Sequence, residues 1–262
     1  MSKQNIHTRT SKKGKKFVAG SIKLAHIKDI TKFKRFVKFM RVLCNEAYFY
    51  FSKDGIKSVQ MSDSNVSMYV LHIKTGAILN RVPLNKTIKV GINLHLFDDI
   101  LKGVKHKEEV EVFLEQDQIK VVNLTRGYSH TIETKDADKV PKLPQKLQFN
   151  YVFQVSAENF KDALNEANKR SESFKLFGSK EKPKMVVETE TGNFSRPLGK
   201  KLQGDELQIC KYSVEYMRVL NPLLPFFKNV KISFAKDYPL QVVMRSNIAN
   251  LKYILAPRIE ND

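Results

Sequence analysis

The chain has 262 residues, of which 42% are hydrophobic, and its 46 Lys and Arg against 27 Asp and Glu give a formal net charge of +19. That length and apolar content predict a folded, soluble protein with a substantial core and room for two domains of ordinary size. No apolar run approaches the roughly 20 residues that span a bilayer, and the start lacks the apolar core of a secretion signal, so synthesis in the cytosol is expected.

Residues 1–16 form a compositional unit of their own, with Lys3, Arg9, Lys12, Lys13, Lys15 and Lys16 and no acidic residue. Such a run has little apolar surface to bury and is expected to be disordered; a solvated tail, a contact to phosphates and a nuclear import signal all fit its composition. Phe17 to Leu24 then reads as a strand. The segment 29–45 is an amphipathic helix, with Ile30, Phe33, Phe36, Val37, Met40 and Leu43 on one face and Lys34, Arg35, Lys38 and Arg41 opposite. A rigid surface backed by a core is how a protein offers a regular cationic face to a polyanion.

A meander follows: Tyr48 to Ser52, a Lys53-Asp54-Gly55 turn, Ile56 to Met61, a Ser/Asp/Asn turn over 62–65, and Val66 to Ile73. Short β-branched runs joined by Asp-Gly and Ser/Asn turns are antiparallel hairpin chemistry. Thr87 to Ile92 is a predicted strand, and Asn93 to Gly103 a short helix with Leu94, Phe97, Ile100 and Leu101 inward. Val110 to Glu115, Gln118 to Asn123 and Tyr128 to Glu133 are predicted strands. Residues 134–147, charged and interrupted by Pro141 and Pro144, read as an extended linker between an N-terminal domain (17–133) and a C-terminal one (148–262).

The pattern then restarts. Phe149 to Val155 is strand-like, and Ser156 to Arg170 is helical, with Ser156 as N-cap and Phe160, Ala163, Leu164 and Ala167 on one face. Strands are expected at Phe174 to Phe177, Met185 to Glu190 and Leu207 to Tyr212, and a helix with Tyr216, Val219 and Leu220 from Ser213 to about Pro222. Val230 to Ala235, Leu240 to Arg245 and Ala249 to Leu255 complete the chain as strands. Residues 88–122 and 207–243 share strand, helix, strand, turn and strand, so the expected fold class is α+β: two similar domains of antiparallel sheet with two helices each.

Catalytic and metal-binding patterns are missing from the sequence. The six histidines show no metal-ligand spacing, and there is no Cys-x-x-Cys. Gly192 to Lys200 has glycines too far apart for a phosphate loop and reads as an ordinary loop, while Asp98 and Asp99, adjacent on a helix, read as a solvated face. Cys44 and Cys210 lie in apolar segments and are expected to be two buried thiols. No enzyme activity, cofactor or metal is expected.

Several segments resemble the proliferating cell nuclear antigen family of sliding clamps. These are Asn45-Glu46-Ala47, Lys53-Asp54-Gly55-Ile56, Gln60 to Val66, Gly91 to Leu94 with Ile100-Leu101-Lys102, Asp237 to Leu240, and Leu251 to Glu260. The resemblance runs from about residue 17 to the end and is weak between roughly 170 and 206. It implies the sliding-clamp fold in a ring, usually of three subunits, whose helices surround duplex DNA, and a processivity factor that tethers DNA polymerase and other peptide-motif proteins, with a clamp loader as a further partner. It places Lys34, Arg35, Lys38, Arg41, Lys102 and Lys105 at the hole, and, on a mixed second-half face with Asp162, Glu166 and Glu215, Lys169 and Arg218. It also implies a peptide pocket at Met61, Val66, Val140, Leu143, Pro239, Ile254, Ala256 and Pro257.

Two departures stand out. The Met185 to Leu207 stretch is short for the family and contains the strand expected to meet a neighbour's Tyr128 to Glu133 edge, which leaves a trimer, another oligomer or a monomer open. The strong positive charge is also unlike the family, and it keeps an alternative alive: a clamp-derived, non-ring DNA-binding factor for viral replication or late transcription. A nucleus, a viral replication compartment and an archaeal cytoplasm are the expected locations.

Overall fold

The computed structural model describes residues 20–135, 141, 144 and 147–259. The first half runs β1 (Ile22–Ile27), α1 (Ile30–Leu43), β2 (Glu46–Ser52), β3 (Gly55–Met61), β4 (Ser67–Lys74), β5 (Leu79–Asn80), β6 (Ile88–Asn93), α2 (Leu94–Lys102), β7 (Val110–Glu115), β8 (Gln118–Asn123) and β9 (Ser129–Glu133). The second half repeats that order: β10 (Tyr151–Ser156), α3 (Ala157–Asn168), β11 (Ser173–Gly178), β12 (Lys184–Thr189), β13 (Gly192–Pro197), β14 (Lys200–Gln203), β15 (Gln208–Ser213), α4 (Val214–Arg218), β16 (Asn229–Phe234), β17 (Leu240–Arg245) and β18 (Ala249–Leu255).

Local chemistry sets the boundaries. The Asp29 carboxylate accepts from the Lys32 amide at 3.0 Å and starts α1; the Asn93 and Ser156 side chains do the same for α2 and α3 through Leu96 and Asn159. In α1, Phe33, Phe36, Val37, Phe39 and Met40 are all at most 1% exposed, and at about 1.5–3 kcal/mol for each large apolar side chain buried, this stripe fixes the rotation of the helix. Strand alternation is equally regular: Ala47, Phe49 and Phe51 of β2 are buried, whereas Tyr48 and Tyr50 between them face outward and are half-buried.

Three antiparallel sheets result, in the orders β5-β1-β7-β8-β9, β14-β10-β16-β17-β18-β4-β3-β2-β6, and β13-β12-β11-β15. The nine-stranded sheet joins two sub-sheets from different halves, because β18 pairs with β4 over seven residue pairs from Ala249↔Ile73 to Leu255↔Ser67. Helix α1 lies over this joint, its Phe39 ring 5.3 Å from Tyr69 of β4 and 6.3 Å from Tyr253 of β18. The Tyr253 hydroxyl donates to the Tyr216 carbonyl of α4 at 2.8 Å, and Phe36 of α1 stacks on Phe226, in a 3-10 turn after α4, at 5.1 Å. The helices of both halves therefore pack on one face of the joined sheet, and among the described residues no helix covers its other face.

The structure departs from the expectations at several points. The first strand is Ile22–Ile27, later than the expected Phe17 to Leu24, of which residues 17–19 lie outside the described residues. Gly192 to Lys200 is no loop. Gly192, at φ 143°, and the Thr189 hydroxyl, which donates to the Gly192 carbonyl at 2.6 Å, close a tight turn, so that β13 folds back on β12 and the short stretch still holds three strands. Helix α4 covers only Val214–Arg218, because Pro222 and Pro225 divert the chain into turns and the 3-10 segment Leu224–Phe226. Asp98, read as part of a solvated face, is 7% exposed and ion-paired. Both cysteines are buried and free, and burial pushes the Cys44 thiol up to about 12.

Candidate nucleic-acid interface and peptide pocket

The helices pair as α1 with α2 and α3 with α4, and their outward faces form the first candidate surface. The four basic residues of α1 do different things there. Lys38 is exposed and makes no ion pair among the described residues, and the exposed Arg35 guanidinium sits 5.5 Å from the centre of the Phe226 ring. Arg41 instead lies 2.5 Å from the Asp98 carboxylate of α2. Lys34 donates its ammonium to the Val104 carbonyl at 2.6 Å and to the Lys102 carbonyl at 3.4 Å, neutralising the open C-terminal end of α2. Burial holds the Lys34 amine below its usual range, against the opposing pull of Asp98 and Glu108.

On α2 and the turn after it, Lys102 is exposed and paired with Asp99 at 2.6 Å and Asp98 at 3.3 Å, while the exposed Lys105 makes no ion pair among the described residues. The Lys102 hydrogen bond and charge hold the Asp99 carboxyl below the ordinary carboxylate range. Beneath them Glu108 accepts from the Lys105 amide at 2.7 Å, the Asn123 amide at 2.8 Å and the Arg126 guanidinium at 2.6 Å. Burial works to raise its pKa, but these three donors together outweigh that and lower it.

The second-half face is mixed. Lys169 pairs with Glu166 at 2.8 Å, Arg218 donates to the Asn168 side chain at 2.6 Å, and Arg196 approaches Asp162 at 3.9 Å. Lys169 and Arg218 do share a hollow with Arg196, which lies on β13 and went unnoticed in the sequence because β13 itself did. This face offers a phosphate backbone far less net attraction than α1 does.

The second candidate surface lies at one end of strands β3, β4, β18 and β17. Met61, Met68, Ile254 and Gln241 stand opposite one another in a cross-strand row, and the Ala256 amide donates to the Val66 carbonyl at 2.8 Å. Pro239 precedes β17 and Pro257 follows Ala256. Ile254 is 9% exposed, and Met61, Val66, Pro239, Ala256 and Pro257 are half-buried. Six of the eight proposed pocket residues are thus gathered at one site with apolar area accessible to a ligand. Val140 and Leu143 lie outside the described residues. The linker's first residues are anchored nearby: Lys135 bridges Gly91 of β6, where a Cβ would stand 2.5 Å from the Lys135 carbonyl oxygen, so only glycine allows the approach.

Comparison with known proteins agrees with the fold. Residues 24–148 match the family described as proliferating cell nuclear antigen, N-terminal domain. Among curated relatives, the DNA polymerase sliding clamp of Methanocorpusculum labreanum is 22% identical over 241 residues, covering 88% of this chain and 96% of that one. That of Archaeoglobus fulgidus is 26% identical over 229 residues, covering 84% and 92%. Among solved structures, the A. fulgidus clamp described as bound to the C-terminal region of FEN-1 superposes with a TM-score of 0.79 at 21% identity, covering 91% of this chain and 100% of that chain. The proliferating cell nuclear antigen of Entamoeba histolytica gives 0.77 at 20% identity with the same coverage.

Proposed function

We propose that this chain, a member of the proliferating cell nuclear antigen family of sliding clamps, is a non-catalytic DNA clamp that encircles duplex DNA as a ring and tethers replication proteins to it. The observation that carries the ring is the β18–β4 joint. By the repeat, β18 corresponds to β9 and β4 to β13, and β9 and β13 are the outer edges of the five- and four-stranded sheets. Each subunit thus contains one closed joint and the two halves of a second, open one. Pairing β9 of one subunit with β13 of the next repeats the internal joint between molecules, and such a head-to-tail contact generates a ring when its rotation closes. The family resemblance favours three subunits.

In that ring the helices line the hole. Arg35, Lys38 and Lys105, without acidic partners among the described residues, supply sequence-independent attraction to phosphates, whereas Lys34 and Arg41 chiefly hold α1 and α2 together and Lys102 is paired within α2. Attraction of this kind permits sliding, because no base is read and topology supplies retention. The row at Met61 and Ile254 is a docking site for an apolar or aromatic plug from a partner's peptide motif, such as a polymerase or nuclease tail. Native mass spectrometry over a concentration series tests the ring: a trimer supports it, and a persistent monomer supports the non-ring DNA-binding alternative, which the charge of +19 favours.

A further inference from the structure

The open face of the nine-stranded sheet, opposite the helices, carries a second concentration of charge. Lys89 of β6, Tyr50 of β2, Lys57 of β3, His72 of β4, Asn250 of β18 and Arg245 of β17 stand in consecutive register. With strands about 4.8 Å apart, this row is about 24 Å long. Two residues along the strands, a parallel row places Lys252 opposite Val243, Val243 opposite Lys231, Lys231 opposite Gln154 and Gln154 opposite Lys200. The rows border a trough of about 1140 Å³ whose lining contains Lys57, Lys74, Lys231, Arg245 and Lys252 and no Asp or Glu.

These cations lack the internal duties of Lys34 and Arg41. Lys57, Lys231, Arg245 and Lys252 are exposed and form no ion pair among the described residues. Lys74 alone is engaged, donating to the Ser246 carbonyl at 2.7 Å. The Asn250 side-chain oxygen, between Arg245 and His72, is buried and lacks a hydrogen-bond partner among the described residues. At the β6 end of the face the Lys89 ammonium lies 5.4 Å from the centre of the half-buried Tyr48 ring, with Tyr50 alongside. Uncompensated like charges crowded on one concave face raise the local potential and call for a polyanion. The aromatic rings at its end select among polyanions, since bases stack on them and acidic peptides have nothing to stack. A single strand can follow the trough and lay its bases on tyrosines, which a base-paired duplex cannot do without opening.

We propose that this sheet face is a second nucleic-acid site that holds a single strand outside the ring. It is separated by the whole sheet from the helices that face the duplex, and it does not depend on the ring: a monomer would present it equally.

The test uses the full chain and a fluorescent 20-mer of oligothymidylate, read by anisotropy across a salt series. Replacing Lys57, Lys231, Arg245 and Lys252 together by Gln should weaken binding about tenfold or more and lower the salt slope by about three, at 0.7 per phosphate contact. Tyr50→Leu should weaken it about fivefold or more with the salt slope unchanged. A helix-face variant, Arg35→Gln with Lys38→Gln, should leave the oligothymidylate affinity as it is and weaken duplex binding. Photocrosslinking of a bromodeoxyuridine-substituted strand to the unaltered protein should label peptides of β2, β3 or β18, a readout independent of any variant's folding. The proposal is overturned if the sheet-face variant binds the oligomer unchanged, if crosslinks fall only on the amino-terminal tail or the helices, or if a polyglutamate peptide competes as well as unlabelled oligothymidylate.

Discussion

The Arg41 guanidinium of α1 and the Asp98 carboxylate of α2 lie 2.5 Å apart, and Asp98 retains only 9% of its side-chain exposure. A basic residue on the outward face of the helix proposed to face DNA is thereby engaged within the protein. Asp98→Ala would leave a half-buried cation without its partner and loosen the α1–α2 pair, costing about 1–3 kcal/mol. Chemical denaturation should show that loss. Asp99→Ala, at an exposed site, should leave the denaturation midpoint close to that of the parent.

The same division of labour predicts unequal contributions to duplex binding. Lys38→Gln and Arg35→Gln should each weaken association and lower the salt slope by about 0.9. Arg41→Gln should change the slope much less, since its charge is already compensated. Binding titrations at several salt concentrations check this, and equal slopes for all three variants would contradict it.

Glu108 predicts a pH effect. Its folded pKa is below the ordinary carboxylate value, so the folded state binds fewer protons than the unfolded state in that window, and stability rises with pH there. The contribution is present above the unfolded value of about 4.5 and is lost as pH falls through the lower folded pKa. Glu108→Gln should reduce stability at neutral pH and make the acid limb of a stability-against-pH curve shallower. A parallel downward displacement of the whole curve would show that Glu108 acts through packing alone.

The edge strands make the next prediction. Thr131→Pro in β9 or Ser195→Pro in β13 removes an amide donor from an outer strand. Either change should lower the oligomer mass in native mass spectrometry, whereas Lys57→Gln, on the open sheet face, should leave the mass unchanged. Mixing the two edge variants should restore no closed ring.

Much of the fold is legible in the sequence because its elements carry their own signals. The period of Phe33, Phe36, Val37 and Met40 specifies α1, and the strands Val110–Glu115 and Gln118–Asn123 are bounded by a turn that shows in the sequence. The stretch 190–203 was not legible, since β13 is an edge strand of exposed and half-exposed residues with neither an apolar alternation nor a buried face to announce it. The two α1 cations that serve the protein's interior were also hidden. Lys34 and Lys38 look alike in a helical wheel, and only the position of the α2 carbonyls distinguishes them. The open-face row was likewise invisible, because Lys57, Lys252 and Arg245 become neighbours only through the strand register.

Retention on DNA tests the central claim most directly. The protein is allowed to thread onto a linear duplex from its free end, the end is capped with a bulky protein, and the complex is washed in high salt. A closed ring should stay on the capped duplex in salt that abolishes charge-driven binding and should leave once a restriction cut opens the DNA. Release by salt alone, with capped and open duplexes behaving alike, would contradict encirclement and leave a protein held by charge only.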